Sequence, residues 1–261
     1  MATFLLAFFV LVPVNRLGIM SAMDVELDLL KESTRIAETD TLAQRIFNTG
    51  ILEGMECVCV KAGIGKVNAA LTAEILILKY DVNAVIYTGV AGGINPELKI
   101  GDIVISRRIV HHDFGQITPD GFISWDTLGF FADSFLVDVA VKAANNVKFD
   151  SIPKNISKEK SYLPHVKIGY VVTGDQFIAS EEKRQWIENT FHADCVEMEG
   201  AAVAQVCAIN KIPFVIIRSL CDLANEEADL DFEAFVVYAA KNSSLIVKEI
   251  IKLLNEKSSK Y

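Results

Sequence analysis

Apolar runs of strand length alternate with segments of helical period along most of the chain, and this alternation limits the folds open to it. It is the pattern of successive βα units and predicts an α/β fold with a largely parallel or mixed sheet. The predicted strands are residues 17–22, 57–62, 84–88, 103–106, 167–172 and 214–220. The predicted helices are residues 25–32, 66–79, 128–145, 181–189, 199–209 and 232–254. We also expect a turn between two strands at 50–56 and a long surface connection at 146–164.

The 261 residues are 51% hydrophobic, enough to bury a large core in one domain over residues 16–261. A net charge of -9 opposes binding to nucleic acid, because Lys and Arg supply most of the affinity for phosphate. The five cysteines form no CxxC pair, so we expect buried free thiols in a reducing compartment rather than disulfides. His111-His112-Asp113 is a weak metal candidate, because adjacent side chains on an extended segment point to opposite faces.

Residues 1–15 are an apolar extension or a candidate signal segment. The apolar run at 4–14 is too short to span a bilayer and has no basic segment before it. Three interpretations stay open: an export signal, a buried or partner-facing extension, and a start codon assigned too far upstream. We expect a cytoplasmic protein, with export or membrane association as the alternative.

Polar side chains collect where predicted strands end. A carboxylate-rich turn occupies 196–201, and an Arg-Ser-Leu-Cys-Asp segment closes an apolar run at 218–222. Ligands of open α/β sheets bind beyond the carboxyl ends of the strands, so both segments are placed for a binding site. The glycine-rich loop at 63–67 matches neither a dinucleotide fingerprint nor a P-loop, whereas the loop at 88–93 lets a ligand approach the backbone closely.

Five segments, taken in order, resemble the 5′-methylthioadenosine/S-adenosylhomocysteine nucleosidases of the nucleoside phosphorylase superfamily. They are 18–26, 88–93, 172–178, 196–201 and 218–222. The resemblance covers about residues 16–256. It implies a three-layer α/β/α sandwich around a central mixed, twisted β-sheet. It also implies a homodimer, an adenine nucleoside as substrate, and neither a metal nor an organic cofactor.

Cleavage of an N-ribosidic bond needs an acid for the departing base, an activator for water and a clamp for the ribose. The resemblance assigns these roles to Asp222, Glu26 and Glu199, with Asp222 acting at adenine N7. Taken alone, Asp222 is also consistent with a helix cap, and Glu26 with an acid near a helix dipole. A charge within the apolar run at 214–220 needs a partner, and by resemblance Arg218 pairs with the carboxylates.

The resemblance also assigns the substrate contacts. Phe177 would stack on adenine, Ile178 would bond its edge through the backbone, and Phe232 would lie near the 5′ substituent. The remaining predicted substrate-binding residues are Ala22, Met23, Ile64, Ala91, Gly92, Glu197, Met198 and Cys221.

Two segments depart from the family pattern. Cys221 stands where many members have Ser, and a thiol is the weaker hydrogen-bond donor. The segment 111–118 is shorter than the loop that commonly reaches the partner's site, and we hypothesise that Phe114 supplies the partner-subunit aromatic.

We therefore expect hydrolysis of 5′-methylthioadenosine and S-adenosylhomocysteine to adenine and the thioribose, as in methionine salvage and nucleoside catabolism. 5′-Deoxyadenosine is a further candidate substrate. Hydrolysis is favoured over phosphorolysis, because the carboxylate of Glu26 repels phosphate and no Arg cluster appears at 17–30. The alternatives are a purine nucleoside phosphorylase, which requires phosphate for base release, and an exported surface-binding protein that reuses the fold.

Overall fold

The structure, a computed structural model, describes residues 14–152 and 161–258. Its strands are β1 (Arg16–Ser21), β2 (Arg35–Leu42), β3 (Arg45–Leu52), β4 (Met55–Lys61), β5 (Ala84–Gly93), β6 (Ile103–His111), β7 (Gly115–Thr118), β8 (Gly121–Ser124), β9 (Phe130–Phe131), β10 (Val166–Thr173), β11 (Cys195–Glu197) and β12 (Phe214–Asp222). Its helices are α1 (Asp24–Ser33), α2 (Lys66–Tyr80), α3 (Ser134–Asn146), α4 (Glu181–Phe191), α5 (Gly200–Asn210) and α6 (Ala228–Ser258).

One mixed sheet dominates the described residues. Its strand order is β11-β10-β6-β12-β5-β1-β4-β3-β2, with β9 paired to β6. The pairings of β1 with β4 and β5, of β12 with β5, and of β10 with β6 and β11 are parallel. The outer pairs β2–β3 and β3–β4 and the inner pair β12–β6 are antiparallel. The predicted mixed sheet is therefore confirmed.

Successive residues of the central strands alternate between two apolar cores, as side chains on a strand must. Leu17 and Ile19 of β1 pack with residues of α1, α3 and α6, whereas Met20 packs with residues of α2 and α5. The central strands read as continuous apolar runs because both faces of the sheet are covered. Helices thus lie on either side of the sheet, and the expected three-layer α/β/α architecture is confirmed.

Several predicted boundaries were wrong. The segment 35–52 forms the β2–β3 hairpin, and the turn predicted at 50–56 narrows to the residues between β3 and β4. The helix predicted at 128–145 starts only at Ser134, where the Asp133 side chain caps it by accepting the Leu136 N–H at 3.0 Å. The strand predicted at 84–88 continues to Gly93, so the expected loop at 88–93 is mostly strand, and the last helix begins at Ala228.

All five cysteines are buried free thiols, as predicted.

Two further expectations concern the N-terminal extension and the connection at 146–164. The apolar extension lies outside the described residues except for its last two positions, and so does part of the connection at 146–164. That connection is not entirely on the surface, because the Ile152 side chain is fully buried. None of the helices within the described residues combines the length and the apolar character needed to cross a membrane.

The packing of α6 gives a stability prediction. Ile246 is fully buried in the core shared with α1 and α3, whereas Val237 on the same helix is exposed. We expect Ile246→Ala to lower the free energy of unfolding by about 2–5 kcal/mol, since the lost apolar contacts leave a cavity. Urea unfolding monitored by circular dichroism measures the change. The matched control Val237→Ala should stay within about 0.5 kcal/mol of wild type, and equal effects of the two changes would contradict this packing.

Candidate active site

A cavity of about 440 Å³ opens at the carboxyl ends of β1, β5, β11 and β12. Because parallel strands end at the same edge of a sheet, segments distant in sequence meet there. The predicted site residues that line it are Ala22, Met23, Glu26, Ile64, Ala91, Gly92, Phe177, Glu197, Met198, Glu199, Cys221, Asp222 and Phe232. Arg218 lies buried behind this wall, and Ile178 lines a small adjoining cavity of about 30 Å³.

Glu26 lies in the first turn of α1 with its carboxylate fully buried. One carboxylate oxygen accepts the backbone N–H groups of Ala22 and Met23, each at 2.9 Å, and the other accepts that of Val90, also at 2.9 Å. Burial raises the pKa of Glu26, and the nearby guanidinium and these hydrogen bonds oppose the rise. Glu26 is therefore more than an acid near a helix dipole, since its carboxylate also accepts the Val90 N–H of β5.

Arg218 is the buried counter-charge of the site. Its guanidinium bonds to Glu197 and lies 3.6 Å from a carboxylate oxygen of Glu199. On another side it stacks over the Tyr87 ring, 4.5 Å from the ring centre to the guanidinium carbon. The prediction that a charge in this apolar strand needs a partner is confirmed. A β-carbon at Gly89 would overlap both Arg218 and Glu26, so this close approach requires glycine.

The carboxylate of Glu197 is held on all sides. It accepts the Thr173 hydroxyl, the Arg218 guanidinium and the backbone N–H groups of Glu199 and Gly200. The Gly200 bond, at 2.7 Å, uses a free N–H at the start of α5. With this many donors, Glu197 has a structural part in the site: it fixes Arg218 and the turn that carries Glu199.

Glu199 keeps a freer carboxylate facing the cavity. One oxygen accepts the Gly65 N–H at 2.8 Å, and the other points toward Arg218. Burial and the neighbouring charge of Glu197 raise the pKa of Glu199 to about 8. With few donors, this side chain retains the capacity to accept hydrogen bonds from a ligand hydroxyl.

Asp222 ends β12 and is 2% exposed. The register between β12 and β5 shifts at Cys221, a β-bulge that re-aims the side chains at the strand end. One carboxylate oxygen accepts the Ala224 N–H at 2.8 Å, and the Cys221 thiol lies 3.1 Å from the other. Burial is the main cause that raises the pKa of Asp222 to about 6, so this carboxyl holds a proton under mildly acidic conditions.

An aromatic pair forms another part of the wall. The Phe177 and Phe232 rings meet edge to face with their centres 6.0 Å apart, and Phe177 remains about half exposed. Ile178 is buried beside the small cavity that Gly92 and Asp222 also line. A planar ligand group beside Phe177 would therefore lie within reach of Asp222.

Three residues that line the cavity were not among the site residues predicted from the sequence: Val90, Val196 and Asp229. Val90 and Val196 stand inside segments that the sequence had singled out, and each neighbours a predicted site residue. Asp229 lies one helical turn before Phe232, and that i, i+3 spacing could have identified it. Tyr87 and Thr173, which support Arg218 and Glu197 from behind, carried no signal beyond an apolar or strand-end position.

The histidine motif lies outside the cavity wall. His111 ends β6 and His112 follows it. Both are buried, and His111 bonds to Gln205 at 3.2 Å. No group of three or more His, Cys, Asp or Glu side chains within the described residues is arranged to hold a metal ion. Phe114 is about half exposed and packs against Trp125, with ring centres 5.5 Å apart.

Comparisons with known proteins agree with this geometry. A model of the phosphorylase superfamily matches residues 16–252. The 5′-methylthioadenosine/S-adenosylhomocysteine nucleosidase of Tolumonas auensis is 37% identical over 246 residues, which cover 92% of this chain and 100% of that protein.

Solved structures of similar fold cover nearly the whole chain as well. The nucleosidase of the same name from Neisseria meningitidis, in complex with methylthio-immucillin-A, superposes with a TM-score of 0.80 at 34% identity, covering 92% of this chain and 100% of that one. The futalosine hydrolase of Helicobacter pylori superposes with a TM-score of 0.80 at 31% identity, covering 92% and 98%. Matched along nearly all of its length, the chain belongs to the phosphorylase superfamily and to its 5′-methylthioadenosine/S-adenosylhomocysteine nucleosidases.

Proposed function

We propose that the protein hydrolyses the N-ribosidic bond of 5′-methylthioadenosine and S-adenosylhomocysteine, releasing adenine and the thioribose. One observation carries the proposal: Glu26, Glu199 and Asp222, distant in sequence, line one cavity in three different hydrogen-bonding environments. The names of the relatives support the same activity. The exported binding protein is not favoured, because buried carboxylates around a cavity serve chemistry better than surface adhesion. We further propose that residues 16–261 form a single domain, a view supported by the extent of the family match.

The chemistry assigns one task to each carboxyl group. Bond cleavage builds negative charge on the purine and positive charge on the ribose. Asp222, whose raised pKa favours a held proton, donates that proton to adenine N7 as the bond breaks. Glu26 takes a proton from the water that attacks the anomeric carbon. Glu199 accepts hydrogen bonds from the ribose hydroxyls, and Phe177 stacks on the base.

Water suits this cavity better than phosphate as the nucleophile. The lining residues, all within the described part of the chain, include five acids and no Lys, Arg or His. The guanidinium nearest to them is already paired with Glu197. A phosphate dianion would therefore enter a cavity lined by acidic side chains, with no free cation among the described lining residues to balance its charge, at a high electrostatic cost.

We also propose that the protein acts as a homodimer. Apolar side chains on α2 are exposed, including Val67, Leu71 and Leu78, and so are Ile117 and Trp125 on the neighbouring 114–125 segment. The two regions adjoin, because Lys66 at the start of α2 pairs with Asp113. Contiguous exposed apolar surface of this kind is typical of protein interfaces. In such a dimer Phe114 would approach the partner's cavity.

The activity has a direct test. We expect purified protein to release adenine from 5′-methylthioadenosine and S-adenosylhomocysteine in phosphate-free buffer at pH 6, near the raised pKa of Asp222, at a rate that added phosphate leaves unchanged. Inosine and futalosine serve as comparison substrates, and chromatography of the free base is the measurement. Base release that requires phosphate would identify a phosphorylase instead. No release from any nucleoside would contradict the proposed function.

Replacement of the proposed acid should separate catalysis from folding. Asp222→Asn retains an oxygen that accepts the Ala224 N–H but has no proton to give to the base. We expect kcat to fall by about 10²–10⁴-fold while the urea unfolding midpoint stays close to that of wild type. Near-normal turnover by this variant would exclude Asp222 as the acid.

The dimer proposal predicts a change in mass. In the proposed dimer, a charged side chain at the centre of the exposed α2 face would be buried without a partner. Leu71→Asp should therefore convert a dimer, of twice the 28.7 kDa chain mass, into a monomer. Light scattering after size-exclusion chromatography measures this. Val237→Asp, on an exposed face of α6 in the other helix layer, is the matched control and should stay dimeric. A wild-type protein that elutes as a single chain would disprove the dimer.

A further inference from the structure

Two motifs find no part in the proposed chemistry: the glycine-rich loop at 63–67 and the His-His-Asp segment at 111–113. They meet in the structure. The Lys66 ammonium lies 2.6 Å from an Asp113 carboxylate oxygen, and both side chains are about four-fifths buried. Exposed ion pairs contribute little to stability, but one this far removed from water holds its partners more firmly.

A third residue closes the contact into a ring. The other Asp113 oxygen accepts the Asp175 N–H at 2.9 Å, and the Asp175 side chain accepts the Lys66 N–H at 2.8 Å. The three residues follow the carboxyl ends of β6, β10 and β4, so this Lys66–Asp113–Asp175 ring joins three loops at the edge of the sheet. Burial alone would raise the pKa of Asp113, but the bonds from Lys66 and Asp175 outweigh it and lower that pKa.

The ring adjoins the cavity at the loop that contains Gly65. Gly65, directly before Lys66, donates its N–H to Glu199 at 2.8 Å, and Ile64 lines the cavity. Gly65 has φ +97°, a conformation that favours glycine, so its amide direction depends on how the loop is held. Gly63 fixes the near end of the loop by bonding to the Ala22 carbonyl at 3.2 Å, and the ring fixes the far end.

We propose that Asp113 and Lys66 are positioning residues of the ribose site. Their ring holds the Gly65 amide against Glu199, so that this carboxylate faces the ribose hydroxyls before the substrate arrives. The inference rests on the proposed function and extends it to residues that do not touch the substrate. It also explains why the loop has a lysine but no phosphate-binding pattern: the lysine binds a carboxylate of its own chain.

The test compares two ligands that differ only at the ribose. In the full-length protein, Asp113→Asn and Lys66→Met should each raise KM for 5′-methylthioadenosine about tenfold, the equivalent of one hydrogen bond, with kcat changed less than threefold. The inhibition constant of 5′-methylthio-2′,3′-dideoxyadenosine should change less than twofold, because that analogue lacks the hydroxyls that Glu199 would accept. Lys66→Arg, which keeps a cationic donor, should stay close to wild type.

Controls separate positioning from general damage. Lys241→Met removes an exposed ion pair with Asp150 on the far helix layer and should leave both constants unchanged. The double variant of Asp113→Asn and Lys66→Met should be no worse than either single one, since both break the same ring. Equal losses for the nucleoside and its dideoxy analogue, or wild-type KM in Asp113→Asn, would overturn the inference while leaving the proposed function intact. A wild-type protein that releases no base would overturn both.

Discussion

The cavity depends on one buried guanidinium. Isolated carboxylates in a protein interior cost several kcal/mol each, and this site gathers Glu26, Glu197 and Glu199 within reach of one another. Arg218 offsets part of that cost by pairing with Glu197 and lying beside Glu199. Burial alone would lower the pKa of Arg218, but the surrounding carboxylates outweigh it and raise that pKa, so the guanidinium keeps its charge at every physiological pH. Glu197 and Glu199 are therefore held in place by a residue outside the cavity wall.

The carboxyl groups around the cavity differ in their hydrogen-bond partners and therefore in their roles. Glu26 receives three backbone hydrogen bonds, Glu197 is saturated by donors, and Asp222 has one N–H and a thiol. Burial raises the pKa of Glu26 and of Asp222, and the hydrogen bonds that each of these two carboxyl groups accepts oppose the rise. An acid and a base can thus share one cavity at one pH. Cys221, expected as a weak substitute for Ser, does contact the Asp222 carboxyl.

Most of the fold could be predicted from the sequence, because strands buried on both faces leave clear apolar patterns. The polar strand ends indicated where a site would lie, but the individual site residues and their roles came from the resemblance to the nucleosidase family. The β2–β3 hairpin could not be predicted, since β2 is exposed at nearly every position and shows no apolar alternation. The β-bulge at Cys221 depends on the pairing of β12 with β5, which no local pattern encodes. The Lys66–Asp113–Asp175 ring joins residues 47 to 109 positions apart, and the cavity position of Asp229 likewise depends on tertiary structure.

Strand β11 has only three residues, yet it pairs with β10 on one side and with β5 on the other. The second pairing brings Cys195 next to Gly93, across about a hundred intervening residues. Closing so long a loop has an entropic cost that must be met before the contact stabilises anything, and topologies rich in such contacts fold slowly. Since Glu197 ends this strand, the charged centre around Arg218 can assemble only once the chain has completed this long-range pairing, and a partly folded molecule that lacks it holds the same acids without the geometry of the site.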